Sequence, residues 1–179
     1  MKKIILFLTL VAMGCLVMVP PCALSAEEDI NYTIDIMLAQ AEDFFTSLHQ
    51  GRYEAAWYLL SEESHETIID DVYQTYQKMG GEIQRTAIEQ DFERSGIIFQ
   101  NYWKAFVKSV DIRRVVDDSR WQAGVMEQNK ADIIISHKDS PNPLKLKMVK
   151  EHDVWKVGLV ETFWNSRTMD ILQAILKII

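Results

Sequence analysis

The sequence predicts an α+β fold: N-terminal helices packed on a curved antiparallel sheet, a cone, with a helical tail at the C-terminus. Three observations predict it. Three runs in Lys130–Glu161 alternate at period two: Ala131, Ile133 and Ile135; Leu144, Leu146 and Met148; Trp155, Val157 and Leu159. Such alternation gives a strand one buried and one solvated face. Asp139-Ser140-Pro141-Asn142-Pro143 and Glu151-His152-Asp153 separate the runs and read as hairpin connections. Everything before the runs carries helical periodicity, so helices are the available cover for the apolar face.

Ile34, Leu38, Ala41, Phe45 and Leu48 mark one face of a helix over 32–49. Gly51 ends it, because glycine tolerates the left-handed cap conformation. A short helix over 52–60 carries Tyr53, Ala56, Trp57 and Leu60. Ser61 and Ser64 with Glu62, Glu63 and Glu66 suit a helix start, where capping oxygens and acids are favoured. Ile68, Val72, Tyr76 and Met79 are its apolar stripe, and Gly80-Gly81 ends it.

The next helix is expected to be the longest, over 83–110. Its seam is Phe92, Gly96, Phe99, Trp103, Phe106 and Val110, and Gly96 inside it costs about 1 kcal/mol against alanine. Close approach of another group, or a kink, would account for the glycine. Ile112, Val115 and Val116 suit the start of a strand that resumes after Asp117-Asp118 and runs through Trp121 to Met126. In the sheet, the inward positions are Ile133, Ile135, Leu144, Leu146, Met148, Trp155, Val157 and Leu159, and Asp132 falls on the opposite face.

The chain ends are apolar. Met1-Lys2-Lys3, the uncharged run Ile4–Val19 and the small residues of Ala23-Leu24-Ser25-Ala26 follow the order of a secretory signal peptide. Residues 1–26 are read as that peptide, with cleavage after Ser25 or Ala26; a retained anchor and lipidation at Cys15 are the alternatives. Both cysteines, Cys15 and Cys22, lie inside it, which leaves the exported form without disulfides, thiolate metal sites or cysteine nucleophiles. A periplasmic or other extracytoplasmic location follows. Removing this segment takes away two lysines and no acids, so the formal charge moves from −7 to −9. Such a surface suits a phosphate backbone poorly, so no nucleic-acid partner is expected. Residues 27–165 form one domain, and 166–179 a helix apolar over more than half its circumference, from Met169 to Ile179. That tail must pack on the domain, a partner or a membrane surface.

The order of elements resembles the nuclear transport factor 2-like superfamily, the cystatin-like α+β cone. Phe44-Phe45 followed by Gly51-Arg52-Tyr53-Glu54-Ala55-Ala56-Trp57-Tyr58-Leu59-Leu60-Ser61 is similar to its helix, glycine, helix opening. Lys130-Ala131-Asp132-Ile133-Ile134-Ile135 is similar to its first central strand, and Leu144–Met148 with Val154-Trp155-Lys156-Val157 to its closing hairpin. His152-Asp153 stands where that family often has an Asp-Gly turn. A more distant resemblance is to periplasmic phospholipid carriers of the toluene-tolerance type, through Trp155-Lys156-Val157 and the helical tail.

Enzymes of the first superfamily place an acid or histidine inside the cone. None of the inward positions assigned here is ionisable, so no catalytic residue is assigned and an isomerase or dehydratase is the least favoured reading. His65-Glu66 is similar to a zinc-protease start, but Ile69 stands where the second histidine should be; no metal or cofactor is expected. His49, His137 and His152 fall at element ends, where exposure is expected. The aromatic set supplies the ligand expectation. Phe45, Trp57, Phe99, Trp103, Phe106, Met148 and Trp155 would line a partly open interior that holds a lipid or another small hydrophobe. The sequence thus reads as a secreted, non-catalytic binding module with an apolar pocket. The alternative is an interaction module in which Met169–Ile179 docks on a second copy or an envelope protein.

Overall fold

The computed structural model describes residues 22–163. The expected chain ends, 1–21 and the tail Met169–Ile179, lie outside the described residues. The architecture is α+β, as expected: helices on one face of a four-stranded antiparallel sheet of order β1-β2-β3-β4. The strands are β1 (Ser119–Met126), β2 (Lys130–His137), β3 (Leu144–Glu151) and β4 (Val154–Gly158). Pairing of Ile133 with Leu146, Ala131 with Met148 and Met148 with Val157 puts the predicted inward set on one face. Ile133, Ile135, Leu146, Met148, Trp155 and Val157 are buried, and Leu144 is half-buried. Leu159 is buried too, but it belongs to a short helix, α7 (Leu159–Phe163), that begins where β4 stops.

Helix α1 (Cys22–His49) crosses the inner face of the sheet and contacts β1 and β4 at its edges. It begins before the expected cleavage positions and runs through them. Met37, Ala41, Phe44, Phe45 and Leu48 bury its lower half, whereas Ile30 and Tyr32 remain exposed. Gly51, at φ +71°, terminates it: Gly51 N–H donates to the Leu48 carbonyl and Arg52 N–H to the Ser47 carbonyl, the paired bonds that close a helix with a left-handed residue. Helix α2 (Tyr53–Tyr58) leads into an extended segment along β4. Val157 N–H donates to the Leu59 carbonyl at 2.7 Å, and Ser61 N–H to the Val157 carbonyl at 3.0 Å. This parallel bridge covers the edge of β4, whose unpaired groups would otherwise invite another chain. Helix α3 (Glu62–Lys78) then starts at the predicted cap, Ser61, whose hydroxyl accepts from Ser64 N–H.

The single helix expected over 83–110 is two, α4 (Arg85–Glu93) and α5 (Ile97–Ser109). The chain turns at Ser95, φ 52°, with Ser95 N–H on the Phe92 carbonyl and Gly96 N–H on the Asp91 carbonyl. Asp91 Oδ1 then accepts from Phe99 N–H at 2.8 Å and satisfies the first turn of α5. The approach requires glycine at 96, since a Cβ there would lie 2.2 Å from Asp91 Oδ2. The seam stays in phase across the break, which hid it.

The strand expected to begin at Ile112 is also corrected. Residues Ile112–Asp117 form a short helix, α6, because Asp111 accepts from Arg114 N–H and caps it; the strand begins only at Ser119. The β3–β4 connection is a two-residue turn in which His152 (φ 48°) and Asp153 (φ 64°) both adopt left-handed conformations. That geometry matches the twist of a tight hairpin and is more often made by Asn-Gly or Asp-Gly.

Candidate functional site

All seven residues expected to line an apolar pocket lie in one core cluster: Phe45, Trp57, Phe99, Trp103, Phe106, Met148 and Trp155, with exposures between 0 and 9 %. Trp103 stands at the centre. Its ring lies 5.5 Å from Phe106, 6.4 Å from both Phe99 and Trp57, and 6.3 Å from Phe44, in each case steeply tilted. Edge-to-face stacking of this kind fills space closely. Phe45 turns away from that centre toward Trp121 on β1, at 5.6 Å. Phe44, Phe92 and Tyr102 belong to the same cluster and were not among the residues expected to line the pocket. Tyr102 sits one position along from the α5 seam, against Phe92 of α4, so its burial depends on the helix break.

Three polar atoms inside the cluster have no hydrogen-bond partner among the described residues: Tyr102 Oη, Trp103 Nε1 and Trp155 Nε1. Burial pushes the Tyr102 hydroxyl far above its usual range, helped by the negative charge of Asp71. It is a neutral phenol at any working pH.

Five cavities stand out among the described residues, and none of these five is lined by any of the seven predicted side chains. One, of about 330 Å³, opens on the outer face of the sheet between Asp132 and Lys147, the β1–β2 hairpin (Val125, Glu127, Lys130), Glu63 of α3 and Glu161 of α7. Asp132 faces away from the helices, as its register predicts, but it is only 8 % exposed. Lys147 Nζ lies 2.6 Å from its Oδ1 and Lys145 Nζ 3.5 Å from its Oδ2. Two cations for one carboxylate satisfy the charge that burial would otherwise penalise.

Glu161 closes this groove. Its two oxygens accept from Ser61 Oγ at 2.9 Å and Ser64 Oγ at 3.1 Å, and both serines are fully buried. Glu151 reaches the same helix end, where Glu62 N–H donates to its carboxylate at 3.0 and 3.2 Å. Two carboxylates from the sheet side therefore meet the amino end of α3, where the helix dipole favours negative charge. Thr162 Oγ1 accepts from Lys147 N–H at 2.8 Å, so α7 takes over the partner role of β4 beyond Gly158.

The histidines divide differently from expectation. His49 and His152 are exposed, as expected. His137 is not: its side chain is 10 % exposed, and its Nδ1 accepts from Arg114 Nε at 3.2 Å and Asp139 N–H at 3.0 Å. The Asp139 carboxylate lies 3.9 Å from the same nitrogen, too far to compete with these donors. His65 stacks on Trp57 at 4.0 Å, and its Nε2 lies 2.7 Å from the Trp57 carbonyl oxygen. Burial lowers its pKa, partly offset by that hydrogen bond. Ile69 is buried one turn further on. Among the described residues no group of three His, Cys, Asp or Glu is placed to hold a metal ion. Among the same described residues no helix is long and apolar enough to cross a membrane.

No protein family matches the chain, and neither a curated protein nor a solved structure matches it.

Proposed function

We propose that the protein is a non-catalytic binding module that works from its surface, not from an internal pocket. The observation that carries the reading is the packing of Trp103: it is fully buried, and the rings of Trp57, Phe99 and Phe106, expected to line a hollow interior with it, stand 5.5–6.4 Å from its own ring centre to centre. Space for a ligand lies outside, on faces lined by paired charges. The resemblance to nuclear transport factor 2-like cones fits the helices-on-sheet order and stands here as a proposal about ancestry. Export through the N-terminal segment, and docking of Met169–Ile179 on a partner, belong to the same proposal.

Native mass spectrometry of protein purified from cells separates this reading from the internal-pocket reading. The surface reading expects the bare chain mass; a co-bound lipid released only on unfolding would overturn it. Deleting residues 167–179 and measuring mass by light scattering tests the tail. A partner role expects a change of assembly state, and an identical monomer with and without the tail counts against it.

A further inference from the structure

The two edges of the sheet are finished differently. At β4 the Leu59–Ser61 segment takes up the outer backbone groups of Val157. At the other edge, no backbone group of β1 (Ser119–Met126) makes a hydrogen bond outside the sheet among the described residues. The cover of the inner face thins at the same edge. The apolar inner positions of β2 and β4 are buried, as are Leu146 and Met148 of β3, whereas Trp121, Ala123 and Met126 of β1 are only half-buried. Val125 beside them is 66 % exposed. The devices that usually blunt an open edge are sparse over Ser119–Ala123, which holds no proline and one charge, Arg120. The register shifts between Ala123 and Met126, so the regular edge is those five residues.

We propose that β1 pairs antiparallel with β1 of a second copy of this chain, joining two four-stranded sheets into one about a two-fold axis. The self-complementarity of the edge argues for this occupant. Directly opposite residues of an antiparallel pair share a face, so the axis of a symmetric pair must pass through a residue. With the axis at Trp121, the middle of the regular stretch, all five residues find partners. Ser119 faces the partner's Ala123, and Arg120 faces the partner's Gln122. The two Arg120 side chains fall on separate pairs, so no charge stands directly opposite its like. On the inner face the two Trp121 rings meet, which adds an aromatic cross-strand pair to the contact each ring makes with Phe45. The inference goes beyond the surface reading and does not depend on it, because the β1 edge is open whether the interior is filled or hollow. Five residues from each copy make a small interface, so the assembly is weak and depends on concentration.

Sedimentation equilibrium of the full chain from about 1 µM to about 500 µM tests the proposal. The average mass should rise from one chain toward two, and a mass that stays at one chain throughout overturns it. Gln122 carries the specific test, because it is exposed and a replacement there leaves the core untouched. Gln122→Glu sets a carboxylate opposite the partner's Arg120 at two symmetric places and should tighten association by about twofold to thirtyfold. Gln122→Lys sets like charges there and should weaken it by a similar factor. General repulsion between acidic chains of net charge −7 predicts the reverse order, since added acid increases it and added lysine relieves it. The reverse order, or no difference, therefore overturns the pairing. Arg120→Glu/Gln122→Lys exchanges the two charges and should recover the association lost in Gln122→Lys; a double variant as weak as the single one counts against the pairing. Deleting residues 167–179 should leave the equilibrium unchanged. Loss of the dimer on that deletion, with the Gln122 variants matching the parent, assigns assembly to the tail and overturns the edge pairing. A co-bound lipid in native mass spectrometry sinks the surface reading and leaves this inference standing.

Discussion

Ser61 Oγ donates to Glu161 Oε1 at 2.9 Å across one hundred residues of sequence. The bond ties the amino end of α3 to the turn where β4 becomes α7. Ser61 at the same time accepts from Ser64 N–H at 3.1 Å, so one hydroxyl caps a helix and anchors a distant carboxylate. Ser61→Ala and Glu161→Ala should each lower stability by about 1–2 kcal/mol, the range for a lost cap or a buried group left unpaired. Because the two share one network, the double variant should lose less than the sum. Urea unfolding of the four proteins checks this, and strictly additive losses would contradict the shared network.

The α4–α5 break makes two opposite predictions at adjacent positions. Ser95 holds φ 52°, a conformation that L side chains adopt at a cost. Ser95→Gly should therefore stabilise by about 0.5–1 kcal/mol. Gly96→Ala should destabilise by about 1 kcal/mol or more, because the new methyl displaces the Asp91 carboxylate that caps α5. In an Asp91→Ala background the Gly96→Ala penalty should largely vanish. If it persists there, displacement of the cap is not its cause.

The same break shows where sequence reasoning stopped. Period-two alternation marked the strands and their inward set, because one-sided burial fixes register strongly. The break at 94–96 was illegible because Phe92, Phe99 and Trp103 keep helical phase on both sides of it; the turn is made by Ser95, which has no special claim to a left-handed conformation. Ile112, Val115 and Val116 looked like a strand through their branched side chains, and the Asp111 cap outweighed that preference. Aromatic richness was visible, but whether rings enclose space or fill it depends on packing angles that no spacing encodes. The Glu161 cluster was beyond reach for a related reason. Its members are separated by 97 and 100 positions, and nothing local signals that they meet.

His65 gives the fold a dependence on pH. Its pKa is lowered in the folded protein, chiefly because burial against Trp57 disfavours the charged ring. Above about pH 7.5 the ring is neutral in both states and contributes no pH dependence. As pH falls through about 6.5, the unfolded chain takes up the proton first, so stability drops. The loss continues until the folded ring also protonates, and then levels off. Urea midpoints between about pH 8 and pH 5 should therefore fall, and His65→Gln should reduce the slope across that window. A variant with the same slope as the parent would place the pH dependence on other groups.

Trp103 decides between a filled and a hollow interior by stability alone. It is fully buried, touches rings from α1, α2 and α5, and leaves its indole N–H without a partner among the described residues. In a packed core, Trp103→Ala should cost about 3–5 kcal/mol, because the surrounding rings cannot collapse into the space it vacates. Trp103→Phe should cost far less than half of that. It keeps most of the apolar contact and removes a buried donor whose missing hydrogen bond itself costs about 1–3 kcal/mol. A wall residue of an open pocket behaves differently: its truncation enlarges a space already present and is tolerated. Chemical denaturation of the two variants distinguishes the cases, and a loss below about 1 kcal/mol for Trp103→Ala would refute the packed core on which the surface reading stands.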